Sequence, residues 1–198
     1  MASVTSLAPT IESPWALPSR GRVGMFCLIA AESAIFTIFV VAYVFYIGKS
    51  LNGPTPTEVL ELPIFNTICL LSSSLTIHFA IRALRQNKTG LFSALWFTTI
   101  ALGAIFLIGT GREWQRLIYE RGLTIQTNLF GTTYYSLIGL HAFHVIVGLL
   151  GLSIVMAFAL GGRVKQEHAE RVDVLSLYWH FVDVVWVVVF TVVYVVGR

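Results

Sequence analysis

Residues 132–162, TTYYSLIGLHAFHVIVGLLGLSIVMAFALGG, decide the fold class because they contain no charged residue over 31 positions. About 20 apolar residues in a helix are enough to cross the hydrocarbon core of a bilayer, which is about 30 Å thick. No proline interrupts the stretch, so nothing in it would break a helix. The stretch is therefore predicted to span a membrane.

Four further stretches satisfy the same criterion, and the only charges inside them are Glu32 and Asp183. They are residues 23–47, 62–81, 89–111 and 174–197. The loops between the stretches are too short to hold a second domain. We therefore expect an all-α integral membrane protein, a bundle of five transmembrane helices formed by residues 23–198. Residues 1–22 form a proline-containing lead-in that lacks the pattern of a secretory signal.

The composition excludes several other classes of protein. Of 198 residues, 56% are apolar and 12% are charged, whereas about a quarter of the residues of a soluble domain are charged. Disorder is excluded by the same numbers, and two cysteines cannot build a disulfide scaffold. The net charge of +3 comes from scattered residues, which disfavours nucleic acid as a partner. Cys27 and Cys69 are expected near opposite faces, so both are predicted to be free thiols.

The distribution of basic residues predicts the orientation in the membrane. On the side of the N-terminus lie eight of the 13 Lys and Arg residues: Arg20, Arg22, Arg82, Arg85, Lys88, Arg163, Lys165 and Arg171. On the other side lie Lys49, Arg112, Arg116, Arg121 and Arg198. This bias predicts a cytoplasmic N-terminus and a C-terminus on the periplasmic or extracellular side.

Glu32 is the most informative residue of the first stretch, because a charge at the bilayer centre costs at least ~2.5 kcal/mol. Two interpretations stay open: a carboxyl group that handles protons, or a neutral acid that bonds a neighbouring helix. Glu32 and Asp183 are both expected about 14 Å from the same face, and His180 about one turn shallower. We therefore expect Glu32 to be neutral or to find a partner among His180, Asp183, trapped water and a lipid headgroup.

His141 and His144 lie on one helical face with two glycines, Gly148 and Gly151. Two imidazoles could bind a metal, but a metal site normally needs three or four ligands, and no Cys or carboxylate lies nearby in this stretch. Small residues let membrane helices approach closely, so the face favours helix packing over metal or haem ligation. His78 is expected near the cytoplasmic end of its helix, where it would reach interfacial water or headgroups.

The last stretch begins with a polar and aromatic segment, residues 178–186. His180 and Asp183 lie three residues apart on one face, where a neutralising contact between them could fix the register of the helix. Tyr178 and Trp179 suit the membrane interface.

Five motifs, in order along the chain, resemble subunit III of haem-copper terminal oxidases, the cytochrome c oxidase subunit 3 family. They are AESAIF (31–36), LPIFNT (62–67), GREW (111–114), GLHAFHVIVGL (139–149) and YWHFVDVVWVVVF (178–190). The chain lacks the first two helices of seven-helix members and resembles the short five-helix bacterial form.

The resemblance implies an accessory subunit of a proton-pumping terminal oxidase of the bacterial cytoplasmic membrane, which acts in aerobic respiration by reducing O2 to water. Such a subunit packs on catalytic subunit I, binds phospholipid, and supports proton uptake and sustained turnover. It holds no cofactor and is not catalytic by itself, since haem and copper belong to partner subunits. The family's buried carboxyl corresponds to Glu32, and its paired histidines correspond to His141 and His144. Its last-helix signature corresponds to Trp179, His180, Asp183 and Trp186. Its acid before the fourth helix corresponds to Glu113.

Three alternative functions stay open. The complex could oxidise quinol instead of cytochrome c. Cytochrome c is the favoured donor, because Glu32 is the acid usual in the cytochrome c branch. A small b-type haem protein would need facing histidines at matched depth. A transporter would be expected to show repeats or broken helices near the midplane, and the sequence shows neither.

Overall fold

A computed structural model describes residues 19–50 and 53–197. The helices are α1 (Arg20–Tyr46), α2 (Pro56–Val59), α3 (Ile64–Arg85), α4 (Thr89–Tyr119), α5 (Leu129–Leu160) and α6 (Ala169–Phe190). A 3₁₀ turn, Gln166–His168, leads into α6, and a π-helical turn, Thr191–Val196, extends it. Five of these helices are long and apolar enough to span a membrane, and no strand occurs among the described residues. The prediction of an all-α membrane protein with five spanning helices is confirmed.

The helices extend beyond several of the predicted bounds. α4 continues to Tyr119 instead of ending at Gly111, and α6 begins at Ala169 instead of Val174. Charged residues ended the predicted stretches, but they do not end a helix when its last turns leave the hydrocarbon and their side chains reach water. α1 likewise begins at Arg20, inside the predicted lead-in. The rest of that lead-in, residues 1–18, and Arg198 lie outside the described residues.

The helices pack as a bundle in which α6 contacts α1, α3 and α5. α3 and α4 form the most extensive pair, joined by a tight turn in which Asn87 has a φ of 58°. α1 lies at the edge, against α5 and α6, and buries only Phe36 and Tyr43. α6 therefore holds three of its neighbours together, while most of α1 stays exposed.

Polar groups close the bundle at both ends. We call the end with the start of α1 the N-terminal face and the other end the opposite face. At the N-terminal face, Asp173 of α6 pairs with Arg22 of α1 and, at 3.0 Å, with Arg85 of α3. At the opposite face, Arg116 of α4 pairs with Glu61 at 2.5 Å. The contacts of Asp173 link three helices at their ends, and the pair of Arg116 and Glu61 links the end of α4 to the segment between α2 and α3.

Two capping arrangements shape the loops of the opposite face. The side chain of Asn128 accepts a hydrogen bond from the backbone N–H of Gly131 at 2.8 Å and so starts α5. The backbone N–H of Thr55 donates to the carboxylate of Glu58 at 2.9 Å, which starts α2 and lowers the pKa of Glu58.

Cys27 and Cys69 lie on different helices, α1 and α3. Cys27 is exposed and Cys69 is buried, and both are free cysteines.

Candidate functional site

Glu32 and His144 form a polar contact between α1 and α5. The Oε2 atom of Glu32 lies 3.1 Å from Nε2 of His144, and Nδ1 of His144 lies 2.8 Å from the carbonyl oxygen of Leu140. The side chain of His144 is 7% exposed and that of Glu32 is 24% exposed. The ring of Phe36 covers the imidazole at a centroid distance of 4.9 Å. The contact is therefore largely enclosed, with its carboxyl end closer to the surface.

The hydrogen bonds of His144 determine how many protons this contact holds. A carbonyl oxygen only accepts, so Nδ1 of His144 carries a hydrogen and donates it to Leu140. The contact between Nε2 and Glu32 then needs one more proton, either on the carboxyl group or on the imidazole. Both arrangements have no net charge, which avoids the cost of an isolated charge in the membrane.

The partner of Glu32 is not one of those expected from depth alone. His180 and Asp183 instead meet Ser74 of α3: Nδ1 of His180 lies 2.9 Å from the Ser74 hydroxyl, which also donates to Oδ2 of Asp183. Residues at the same depth can lie on different sides of a helix, and hydropathy does not tell which helices are neighbours. Glu32 and Asp183 therefore belong to two separate polar groups.

Ser74, His180 and Asp183 form a continuous hydrogen-bonded chain. If Nδ1 of His180 donates to the Ser74 oxygen, the Ser74 hydroxyl is free to donate to Asp183, so a proton could pass along the chain by reversing each bond. The other oxygen of Asp183, Oδ1, is buried with no partner among the described residues. The chain therefore ends inside the bundle at an acceptor with spare capacity.

The outer end of this chain reaches a cavity at the N-terminal face. The cavity has a volume of about 380 Å³ and is lined by polar and charged side chains together with two apolar ones. They are His78, Ile81, Arg82, Arg85, Asp173, Ser176, Leu177 and His180. His78 is exposed there, close to the helix end at which it was expected.

His141 lies one turn before His144 but has no polar partner among the described residues. It is 1% exposed, and neither ring nitrogen forms a hydrogen bond. Its ring stacks on Trp186 at a centroid distance of 5.0 Å and meets the edge of Phe106 at 5.7 Å. Within residues 19–50 and 53–197, no group of three or more His, Cys, Asp or Glu side chains could hold a metal ion.

The glycines that follow the histidines lie where α5 meets α6. A Cβ atom at Gly148 would lie 2.8 Å from two ring carbons of Trp179, and one at Gly151 would lie 3.0 Å from Leu175. Gly103 of α4 makes the same kind of approach from the other side, because its Cβ atom would lie 2.8 Å from Cη2 of Trp179. The indole ring is thus held between two glycines on two helices.

The tryptophans of α6 also bond to α3. Nε1 of Trp179 donates to the hydroxyl of Ser73 at 2.8 Å, and Nε1 of Trp186 donates to Thr67 at 3.2 Å. Each ring is fully buried, so the hydrogen bond satisfies a polar group that would otherwise be costly. Trp179 therefore lies deep in the bundle and not at the interface where the sequence suggested it.

Glu113 lies near the opposite face, away from the polar groups that contain Glu32 and Asp183. Its Oε1 atom accepts hydrogen bonds from the hydroxyls of Tyr194, at 2.8 Å, and Tyr134, at 3.2 Å. Tyr194 belongs to the π-helical turn, a local distortion that occurs frequently at functional sites. Glu113 thereby connects α4 with α5 and the end of α6.

Several partners of these groups were not predicted from the sequence. Ser74 belongs to a run of three serines, residues 72–74, inside an otherwise apolar helix, and that run was a usable signal. Tyr134 and Tyr194 carried no comparable signal, because tyrosines near helix ends are common in membrane proteins.

Known proteins similar to this chain are named as subunit 3 of a cytochrome c oxidase or of a quinol oxidase. A model of the family "Cytochrome c oxidase subunit III" matches residues 19–198. Cytochrome c oxidase subunit 3 of Synechocystis sp. is 39% identical over 181 residues, which cover 89% of this chain and 76% of that protein. The subunit of the same name from Bacillus sp. PS3 is 35% identical and covers 88% and 85%. The probable quinol oxidase subunit 3 of Staphylococcus saprophyticus is 30% identical and covers 96% of each.

Proposed function

The chain belongs to the cytochrome c oxidase subunit III family, and from that membership we propose that it is an accessory subunit of a bacterial proton-pumping terminal oxidase. In that complex it packs on catalytic subunit I, binds phospholipid and supports proton uptake and sustained turnover. Haem and copper, which carry out the reduction of O2, are held by the partner subunits.

The contact between Glu32 and His144 is the observation that carries the proposed role in proton uptake. It places one exchangeable proton between α1 and α5, and the carboxyl end is the more exposed of the two. Transfer of this proton between the carboxyl group and the imidazole keeps the pair neutral, whereas its release leaves one negative charge, which lies at the more exposed carboxyl end. Glu32 is therefore the group through which this subunit would exchange a proton with its surroundings.

The chain of His180, Ser74 and Asp183 supports the same role. It runs from the cavity at the N-terminal face into the bundle, where a carboxylate oxygen has no other partner among the described residues. The excess of Lys and Arg at this face supports its proposed assignment as the cytoplasmic face. Protons for an oxidase come from the cytoplasm, so both polar groups would take them up from the correct side.

The proposed electron donor of the complex is cytochrome c. Relatives named for cytochrome c oxidase are 31% to 39% identical to this chain, and relatives named for quinol oxidase are 30% to 31% identical. Quinol is the second candidate, because the match to the Staphylococcus saprophyticus relative covers 96% of the chain. The rates at which the purified complex oxidises reduced cytochrome c and a quinol distinguish the two.

Substitution of Glu32 tests the proposed proton role. In Glu32→Gln the side-chain amide can still donate to Nε2 of His144, so we expect the complex to assemble normally. Gln cannot release a proton, so we expect slower O2 consumption, or faster loss of activity during turnover, and a larger effect at high pH, where protons are scarce. Glu120→Gln is the matched control, because Glu120 is exposed at the end of α4.

A purely structural role for Glu32 gives a different pattern. In that case Glu32→Ala lowers the amount of assembled complex, because His144 loses its partner, while Glu32→Gln behaves as wild type at every pH. Those two results together would contradict the proposed proton role.

A further inference from the structure

A cavity of about 450 Å³ at the opposite face is lined by polar groups whose hydrogen-bonding capacity is only partly used by the contacts described so far. It lies between the first turns of α3, the last turns of α4 and the segment that follows α2. Its polar side is formed by Asn66, Arg112, Glu113 and the ion pair of Arg116 with Glu61.

The charges around the cavity are balanced but incompletely paired. Arg116 and Glu61 neutralise each other at 2.5 Å. Among residues 19–50 and 53–197, which the structure describes, the guanidinium of Arg112 has no hydrogen-bond or ion-pair partner. Glu113 uses Oε1 for the two tyrosine hydroxyls, and its Oε2 atom has no partner in the same set. One cation and one carboxylate oxygen are therefore left to face the cavity.

The two tyrosines hold the carboxylate of Glu113 in a fixed orientation. Tyr134 and Tyr194 are fully buried, and both hydroxyls donate to the same oxygen. A donor that binds the second oxygen would meet a group that is already oriented, so little side-chain freedom would be lost on binding.

Asn66 adds an amide to the wall of the cavity. Its side chain lies against Gly109 of α4 so closely that a Cβ atom at that position would overlap the amide. Its polar atoms have no hydrogen-bond partner in the described part of the chain. The glycine therefore makes room for an amide that can both donate to and accept from a ligand.

The other side of the cavity is apolar and faces the bilayer. Phe65 is 70% exposed, Ile108 is 57% exposed and Ile105 is 40% exposed. Ile108 and Ile105 lie about one and two helical turns deeper in α4 than Arg112. The cavity is thus polar at the edge of the membrane and apolar toward its interior, which is the polarity of a lipid molecule.

We propose that this cavity binds a phospholipid with a zwitterionic phosphate–amine headgroup. The phosphate is bound by Arg112, whose fork of donors suits phosphate oxygens, and the amine donates to Oε2 of Glu113. The amide of Asn66 bonds the headgroup between them, and the acyl chains run over Phe65 and Ile108. The inference rests on the proposed function, since it names the lipid class for the lipid binding included there.

Charge complementarity selects this class over others. An anionic headgroup without an amine would satisfy Arg112 but would place a second negative group beside Glu113. A lipid without a phosphate would leave the guanidinium unpaired. Only a headgroup that carries both charges satisfies both residues while the cavity stays neutral.

Lipid titration of the assembled complex tests the proposal. The complex is purified, stripped of lipid in detergent and titrated with phosphatidylethanolamine or phosphatidylglycerol of identical acyl chains, and bound lipid is counted by native mass spectrometry. We expect Arg112→Gln to weaken binding of phosphatidylethanolamine at one site about tenfold, because a charge-assisted hydrogen bond is lost. Arg121→Gln is the matched control, since Arg121 is exposed in the next loop and does not line the cavity.

The Glu113→Gln variant separates the zwitterionic headgroup from an anionic one. It should weaken binding of phosphatidylethanolamine and leave binding of phosphatidylglycerol unchanged or stronger. A photoactivatable phosphatidylethanolamine should label peptides of α3 and α4 in the wild-type complex, which reports on the site without any substitution.

Two results would overturn the proposal. One is equal lipid binding by the Arg112→Gln and Arg121→Gln complexes, and the other is an equal effect of Glu113→Gln on both lipids. Neither result bears on the proposed oxidase function, because co-purification with oxidase subunits and O2 consumption are measured on the same preparations. Loss of those two properties in the wild-type chain would instead refute the proposed function.

Discussion

Gly148→Ala should destabilise the bundle, although glycine to alanine normally stabilises a helix. The new Cβ atom would lie 2.8 Å from Cε3 and Cζ3 of Trp179, closer than real Cβ contacts allow. The indole cannot move aside, because Gly103 lies against its far edge and Ser73 holds its Nε1 atom at 2.8 Å. Overpacking of this kind costs about 1–3 kcal/mol, and the restraints on the ring favour the upper part of that range.

Gly24→Ala is the matched control, because Gly24 lies in α1 with no atom within 4 Å of its Cβ position. That substitution should gain about 0.5–1 kcal/mol from helix propensity alone. At about 2–4 °C per kcal/mol for a chain of this size, the two variants should differ by several degrees. The measured quantity is the temperature at which the chain unfolds in the purified complex.

A double-mutant cycle with Trp179→Phe identifies the contact responsible. The smaller ring leaves space for the new methyl group. In the Phe background, Gly148→Ala should therefore destabilise the bundle less, by about 0.5 kcal/mol or more. The reasoning is refuted if Gly148→Ala is as harmless as Gly24→Ala, or if it costs the same in both backgrounds.

Two further predictions concern His141 and the orientation of the chain in the membrane. His141→Phe should preserve or raise the unfolding temperature, because neither ring nitrogen has a partner among the described residues; a fall of several degrees, or loss of metal or haem from the complex, would contradict the packing role. For the orientation, an impermeant thiol reagent added to intact cells should label Arg121→Cys in the outer loop and spare Lys88→Cys in the inner loop; the reverse pattern would invert the proposed topology.

The spanning helices could be predicted from the sequence, because each depends only on the length of its own charge-free run relative to the thickness of the bilayer. Helix ends were less accurate, since Arg112 and Arg116 continue α4 while their side chains reach the surface. The motifs that contain Glu32 and His144 were recognised, but the contact between them was not. Depth placed Glu32 level with Asp183, whereas the lateral order of the helices sets Glu32 against α5 and brings Asp183 to Ser74.

The positions of small residues explain why Trp179 does not lie where the sequence predicts it. Gly148 was recognised as part of a packing face, yet its partner, Trp179, was expected at the membrane interface. Aromatic belts are a statistical property of membrane helices, and an indole can lie deep when two glycines make room and a hydroxyl accepts its N–H. Such a pocket is formed by α3, α4 and α5 around a side chain of α6, so it cannot be found from any one helix.

Purification of the tagged chain from its own membrane tests the central claim most directly. The chain is isolated in mild detergent, the co-purifying proteins are identified, and absorption spectra are recorded before and after the chain is separated from them. We predict that a catalytic oxidase subunit co-purifies, that the complex consumes O2, and that the haem absorption stays entirely with the partner subunits. Haem absorption that follows the separated chain, or a preparation without any oxidase subunit, would contradict the assignment of an accessory, non-redox subunit.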